Sequence, residues 1–260
     1  PLIQYAVDEA RAAGIEEFIF ITSEGKTALE AYFSKMSGLE RQLHAAGKVS
    51  ALDALRPSNM QAGSVRFIRQ ETPKGLGHAV SLARDAVGDE PFAVILPDDV
   101  IRARTPALKQ MVAAHARSGG HMIATETVAE HRLSAYGVVD IVRSVGPLQM
   151  LRGLVEKPSP EAAPSRSGVV GRYILKPSIF ERLADLPPGS GGEIQLTDAI
   201  AADLSDIAVN GFAFEGERFD CGSAAGFLEA TTAFAIDRPD LRDGLLRFLE
   251  TRNMVPFRAA

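Results

Sequence analysis

Four strand-like segments in succession constrain most strongly how this 260-residue chain can fold. HMIATETV (121–128), YGVVDIV (136–142), LRGLVEKP (151–158) and VVGRYILK (169–176) are separated only by short polar or Gly/Pro stretches. Such a run reads as antiparallel or mixed additions to a sheet. On either side the rhythm alternates between strand and helix. PLIQYAVDEARAAG sets Leu2, Ile3, Ala6, Val7, Ala10 and Ala13 at helical spacing, with Gly14 at the stop. Phe18–Thr22 reads as a strand, Ser23 as the cap of a following helical stretch, and 39–55 as a helix-favouring insert ending in the loop signal Arg56 to Asn59. SVRFIRQ (64–70), a Gly/Pro loop (72–77), a helix over 77–87, a strand over 92–96 and a helix over 106–117 come next. After the four strands, helices are predicted at 177–184 and 193–204, strands around 211–219, and helices at 224–235 and 239–249. Alternating strands and helices call for a parallel sheet with right-handed crossovers. The expectation is one α/β domain over 1–260, a mixed sheet flanked by helices, with an inserted antiparallel β region and a helical arm over 221–260.

Composition excludes several classes. With 46% apolar residues, a chain of this length can bury roughly three quarters of its unfolded surface and needs no metal or disulfide staple. Its one cysteine, Cys221, allows no intrachain disulfide. Thirty-three acidic against 28 basic residues give a net charge of -5, the wrong sign for a footprint on nucleic acid. The longest apolar runs, 18–21 and 92–96, are far shorter than the roughly 18 residues of a membrane span, and no secretory signal precedes them. These features point to a cytoplasmic protein.

Four constellations carry chemistry. PFAVILPDD (91–99) ends an apparent central parallel strand in Asp98 and Asp99, where open α/β sheets bind ligands. Magnesium takes only one or two protein carboxylates, and Asp98 is the better placed, although an aspartate there also serves as a cap. In RQETPKGLGHAV (69–80), Gln70 offers a donor and an acceptor to a base edge, and the glycines let backbone approach a ligand; an ordinary strand-to-helix turn explains them equally. His78 reads as structural. In GLVEKP (153–158) Glu156 and Lys157 are adjacent on a strand and so face opposite sides. Lysine binds phosphate and glutamate accepts sugar hydroxyls, with a solvated pair as the plain alternative. FDCGS (219–223) sets Asp220 at a strand end, able to share a metal with Asp98 if the strand ends converge. Cys221 has no partner histidine in view and reads as a buried small hydrophobe. Glu193 suits the mouth of a helix by charge alone.

Taken in order, RQ-x4-GLGHAV, ILPDD, AYGVV, GLVEKP, VGRYIL, GGEIQLTDAI and DCG resemble the bacterial UTP:glucose-1-phosphate uridylyltransferases over nearly the whole chain. The resemblance implies a Rossmann-like sheet and a reaction that joins UTP and glucose 1-phosphate into UDP-glucose and pyrophosphate with magnesium. By matching position, Gln70 and Gly75 would contact uracil, and Asp98 and Asp220 would hold magnesium. Gly137, Glu156 and Val170 would line the glucose pocket, with Glu193 a further substrate contact, and Lys157 would hold the sugar phosphate. In this family a strand and a glycine-rich loop of the type GLGTR, followed by PKEM, come immediately before the segment matching PLIQYAVDEA, and the sequence does not contain them; a molecule lacking that cradle is expected to lose most uridylyl transfer. A homodimer or tetramer is expected. The alternatives are a relative that uses dTTP or GTP with another hexose and, more remotely, a metal-dependent glycosyltransferase or a nucleotide-sugar-binding module.

Overall fold

Successive side chains of the central strands enter two different cores, so that both faces of the main sheet are covered. The computed structural model describes residues 1–33, 37–55, 60 and 63–252. The main sheet has six strands in the order β3 (Phe92–Ile95), β8 (Ser167–Leu175), β5 (His121–Thr127), β9 (Val209–Ala213), β7 (Leu148–Glu156), β6 (Gly137–Val145). Along β5 and β8, Ile123, Val169, Tyr173 and Leu175 enter one core, while Met122, Ala124, Val170 and Ile174 enter the other. The first core lies under α5 (Leu76–Ser81), α8 (Ile179–Asp185) and α9 (Leu196–Asp203). The second lies under α1 (Leu2–Ala12) and α7 (Ala107–Ser118). Helix, sheet and helix thus make three layers.

Two small sheets flank it: β1 (Phe18–Thr22) runs parallel to β2 (Val65–Arg69), and β4 (Asp99–Arg102) antiparallel to β10 (Glu217–Asp220). The helix α1 ties the parts together, because Val7 packs with Phe20 and Phe33 while Ala10 packs beneath the main sheet. Between β1 and β3 lies a cavity of about 1040 Å³, lined by Ile19, Phe20 and Ile21 on one side and Phe92, Val94 and Ile95 on the other. No strand among the described residues joins these two edges.

The mixed sheet agrees with the expected fold class, and several local expectations change. The strand β3 stops at Ile95 and is neither central nor parallel; it pairs antiparallel with β8. Among the described residues only β1 with β2 and β5 with β9 are parallel pairs. Ser23 does not adjoin a helix, since a turn from Ser23 to Lys26 precedes α2 (Thr27–Phe33). The insert splits into α3 (Ser37–Ala45) and α4 (Val49–Leu55), and the predicted loop at 56–59 lies outside the described residues. The segment 77–87 divides into α5 and α6 (Arg84–Val87). The arm comprises α10 (Ala224–Asp237) and α11 (Pro239–Glu250), with residues 253–260 outside the described set.

Candidate active site

A second cavity, of about 430 Å³, opens where β4, β7, β8 and β10 end, and its lining includes Asp98, Asp99, Gly137, Glu156, Lys157 and Asp220. Beyond Ile95 the chain makes a turn through Pro97 and Asp98, then enters β4 at Asp99. The two neighbouring aspartates differ completely. Asp99 is buried, accepts the Gly171 amide at 2.7 Å and takes the Arg218 Nε–H at 2.6 Å. Asp98 is exposed. Its carbonyl accepts the Cys221 amide at 2.8 Å, which draws the Asp220 loop beside it. A Cβ added to Gly222 would stand 3.2 Å from an Asp220 carboxylate oxygen and 3.5 Å from one of Asp98, so the two carboxylates do converge.

The turn bearing Asp98 is stapled from beneath. Arg172, 1% exposed, donates to both oxygens of Glu9 (3.1 and 2.9 Å) and to the carbonyls of Gly171 (2.9 Å), Leu96 (3.0 Å) and Asp99 (2.7 Å). All five guanidinium N–H groups are used. Leu96 and Asp99 bracket the turn, so its shape is held by a charge-assisted clamp.

Glu156 and Lys157 share the pocket instead of facing opposite sides. Lys157 has φ 46°, a left-handed conformation uncommon for a residue with a side chain, and this breaks the strand alternation at the end of β7. Its Nζ lies 3.6 Å from Glu156 Oε1, and its amide donates to the Tyr136 carbonyl at 3.0 Å. Glu156 also accepts the Thr197 hydroxyl at 2.7 Å. Gly137 pairs with Glu156 across β6 and β7; a Cβ there would approach Thr197 Cγ2 to 2.9 Å and Glu156 Oε2 to 3.2 Å.

Two expected pocket residues lie elsewhere. Val170 is fully buried in the core beneath α7, and the period of two along β8 gives the pocket Val169 and Gly171 instead. Glu193 is exposed and precedes α9 by three residues, so it stands at no helix mouth; Gln195, Leu196 and Thr197 line the pocket from that segment. Glu193 accepts a bond from Gln195 at 3.2 Å and packs against Gly75, whose φ of +93° and close approach to Ile194 leave no room for a side chain.

Gln70 and Gly75 meet beside the larger cavity, which shares Leu76 and Leu96 with the smaller one. The Gln70 amide nitrogen lies 2.8 Å from His78 Nδ1 and 3.4 Å from the Gly75 carbonyl, so His78 orients Gln70. Burial and then Asp220, Asp98 and Asp99 push the Cys221 thiol up, which disfavours a thiolate nucleophile. Sequence reasoning missed Arg132, Arg172 and Arg218, whose places depend on partners far along the chain. Tyr136, whose hydroxyl accepts from Arg132 at 2.8 Å and Arg218 at 2.9 Å, joins them. Among the described residues no group of three or more histidine, cysteine or acidic side chains could hold a metal. Two converging carboxylates are oxygen donors of a kind that suits a magnesium-type ion, which takes only one or two protein carboxylates.

The geometry agrees with known proteins. A family model described as nucleotidyl transferase matches residues 1–236. The UTP–glucose-1-phosphate uridylyltransferase of Bacillus subtilis (strain 168) is 42% identical over 251 residues, 96% of this chain and 85% of the relative. That of Komagataeibacter xylinus is 42% identical over 223 residues, 86% and 78% respectively. A UTP-bound UGPase from Acinetobacter baumannii superposes with a TM-score of 0.87 at 36% identity, covering 96% of this chain and 87% of its own. A UDP-glucose pyrophosphorylase complexed with UDP-glucose gives 0.80 at 37%, covering 92% and 88%. Family, relatives and folds coincide: this chain belongs to the nucleotidyl transferase family, among the UTP–glucose-1-phosphate uridylyltransferases.

Proposed function

We propose that this protein transfers the uridylyl group of UTP to glucose 1-phosphate, giving UDP-glucose and pyrophosphate. The observation that carries the reading is the convergence of Asp98 and Asp220 beside the Glu156–Lys157 corner. Relatives named for this reaction, and similar structures holding UTP or UDP-glucose, support it. Gln70 and the Gly75 backbone read the uracil edge. Gly137 and Glu156 receive the sugar hydroxyls, and Lys157 holds the sugar phosphate. A sugar-phosphate oxygen then attacks the α-phosphorus in line; the new P–O bond forms as the bond to pyrophosphate breaks. Alignment and charge neutralisation supply the rate, without a covalent protein intermediate.

Enzymes of this family generally use a divalent metal. We assign magnesium to Asp98 and Asp220, where it supplies positive charge to the phosphate oxygens. We read residues 1–260 as one cytoplasmic domain with 221–260 as its arm. Phe227, Leu228, Leu241 and Phe248 are exposed on α10 and α11, which supports a homodimer or tetramer. Among the described residues no helix is long and apolar enough to cross a membrane.

The direct test measures pyrophosphate release from UTP, glucose 1-phosphate and magnesium. Turnover at least about tenfold faster than with dTTP or GTP is expected; no release, or a preference for another base, overturns the assignment.

A further inference from the structure

Three cations line the smaller cavity: Lys157, Arg132 and Arg218. Arg218 is spoken for. It is 8% exposed in its side chain and carries Asp99 together with Glu126 (2.8 Å) and the Tyr136 hydroxyl (2.9 Å). Arg132 is different. It sits on the 3₁₀ turn Glu130–Ala135 with 52% of its side chain exposed, yet it is held in place: Nη2 donates to the Tyr136 hydroxyl at 2.8 Å, and the guanidinium lies 5.6 Å over the Tyr136 ring. Its ion pair among the described residues is a long one, 3.9 Å to Asp220, the carboxylate assigned to the divalent ion.

Tyr136 therefore touches all three cations of the cavity. Its carbonyl fixes the Lys157 backbone at 3.0 Å and its hydroxyl fixes Arg132. With a divalent ion held by Asp98 and Asp220, the Asp220 charge would be shared with that ion, and the Arg132 guanidinium would be freer to meet an incoming anion. A planar fork of N–H donors matches two phosphate oxygens at once, whereas lysine meets them as a point charge. We infer that Arg132 is a second phosphate-binding side chain, gripping the phosphate of the sugar 1-phosphate opposite Lys157. This inference rests on the proposed uridylyl transfer.

Steady-state pyrophosphate release by the whole protein, its R132A and R132K variants, and calorimetric titration with UDP-glucose test it. For R132A the KM for glucose 1-phosphate should rise about tenfold or more while the KM for UTP stays within about twofold, and UDP-glucose should bind at least about fivefold more weakly. R132K should fall between R132A and the parent, since it keeps the charge and loses the fork. Because the side chain is half exposed, both variants should melt like the parent. An unchanged KM for glucose 1-phosphate, or equal rises for both substrates, overturns the role of Arg132 while leaving the transfer reaction standing. Absence of any release by the parent protein overturns both.

Discussion

Asp98 and Asp99 show how little side-chain type alone decides. Their backbone positions differ by one residue, but one lies on a turn and the other starts a strand, where Gly171 and Arg218 consume its oxygens. Asp98→Asn or Asp220→Asn should abolish magnesium-dependent pyrophosphate release with little change in the urea midpoint. Asp99→Asn should instead cost about 3 kcal/mol, because it removes one of the two carboxylates that neutralise a nearly buried arginine; equal stability in all three variants would show that this division is wrong. The sequence made the residue types legible, and the Lys157 conformation was the part it concealed. Strand alternation separates Glu156 from Lys157, and a single left-handed residue reunites them. The same alternation, applied to the register of β8 in the folded sheet, removes Val170 from the pocket wall.

At the level of elements, strands and helices were readable from periodicity, while their partners were not. The order β3-β8-β5-β9-β7-β6 arises from long-range pairing that no local pattern encodes. One joint among these elements is a polar knot around the buried pair His121 and Asp203. His121 on β5 lies 2.8 Å from Asp203 at the end of α9, and its Nδ1 accepts the Lys176 amide beyond β8 at 3.1 Å. Asp203 also receives Ser178 at 3.0 Å and Arg182 at 2.8 Å. Burial holds His121 below the ordinary histidine range, against the pull of Asp203. For Asp203 burial pushes upward, but the bonds from Arg182, His121 and Ser178 prevail and hold it low. Both folded values being depressed, the unfolded chain binds the extra protons as pH falls. Stability is thus full above roughly pH 6.5 and declines below it, first through His121 and then, below roughly pH 4, through Asp203. Unfolding free energies from urea titrations should fall by roughly 1 kcal/mol per pH unit between pH 6.5 and 5. His121→Gln should flatten that slope, and an unaltered slope would assign the acid sensitivity elsewhere.

For the whole molecule, the outermost helices are the least settled part. No residue of α11 is buried, although Leu241 and Phe248 are apolar and α10 exposes Phe227 and Leu228 nearby. Light scattering should report a dimer or tetramer, and Leu228→Glu combined with Phe248→Glu should shift it toward monomer; a parent protein of monomer mass would remove the assembly from the account. The clamp of Arg172 on Glu9 has a consequence for how the site comes into being. Its two ends are 163 residues apart. Closing a loop of that size is slow and entropically costly compared with forming a local turn. The turn that presents Asp98 therefore reaches its final shape only after the first helix has docked against the eighth strand, and competence for chemistry arrives at the end of folding.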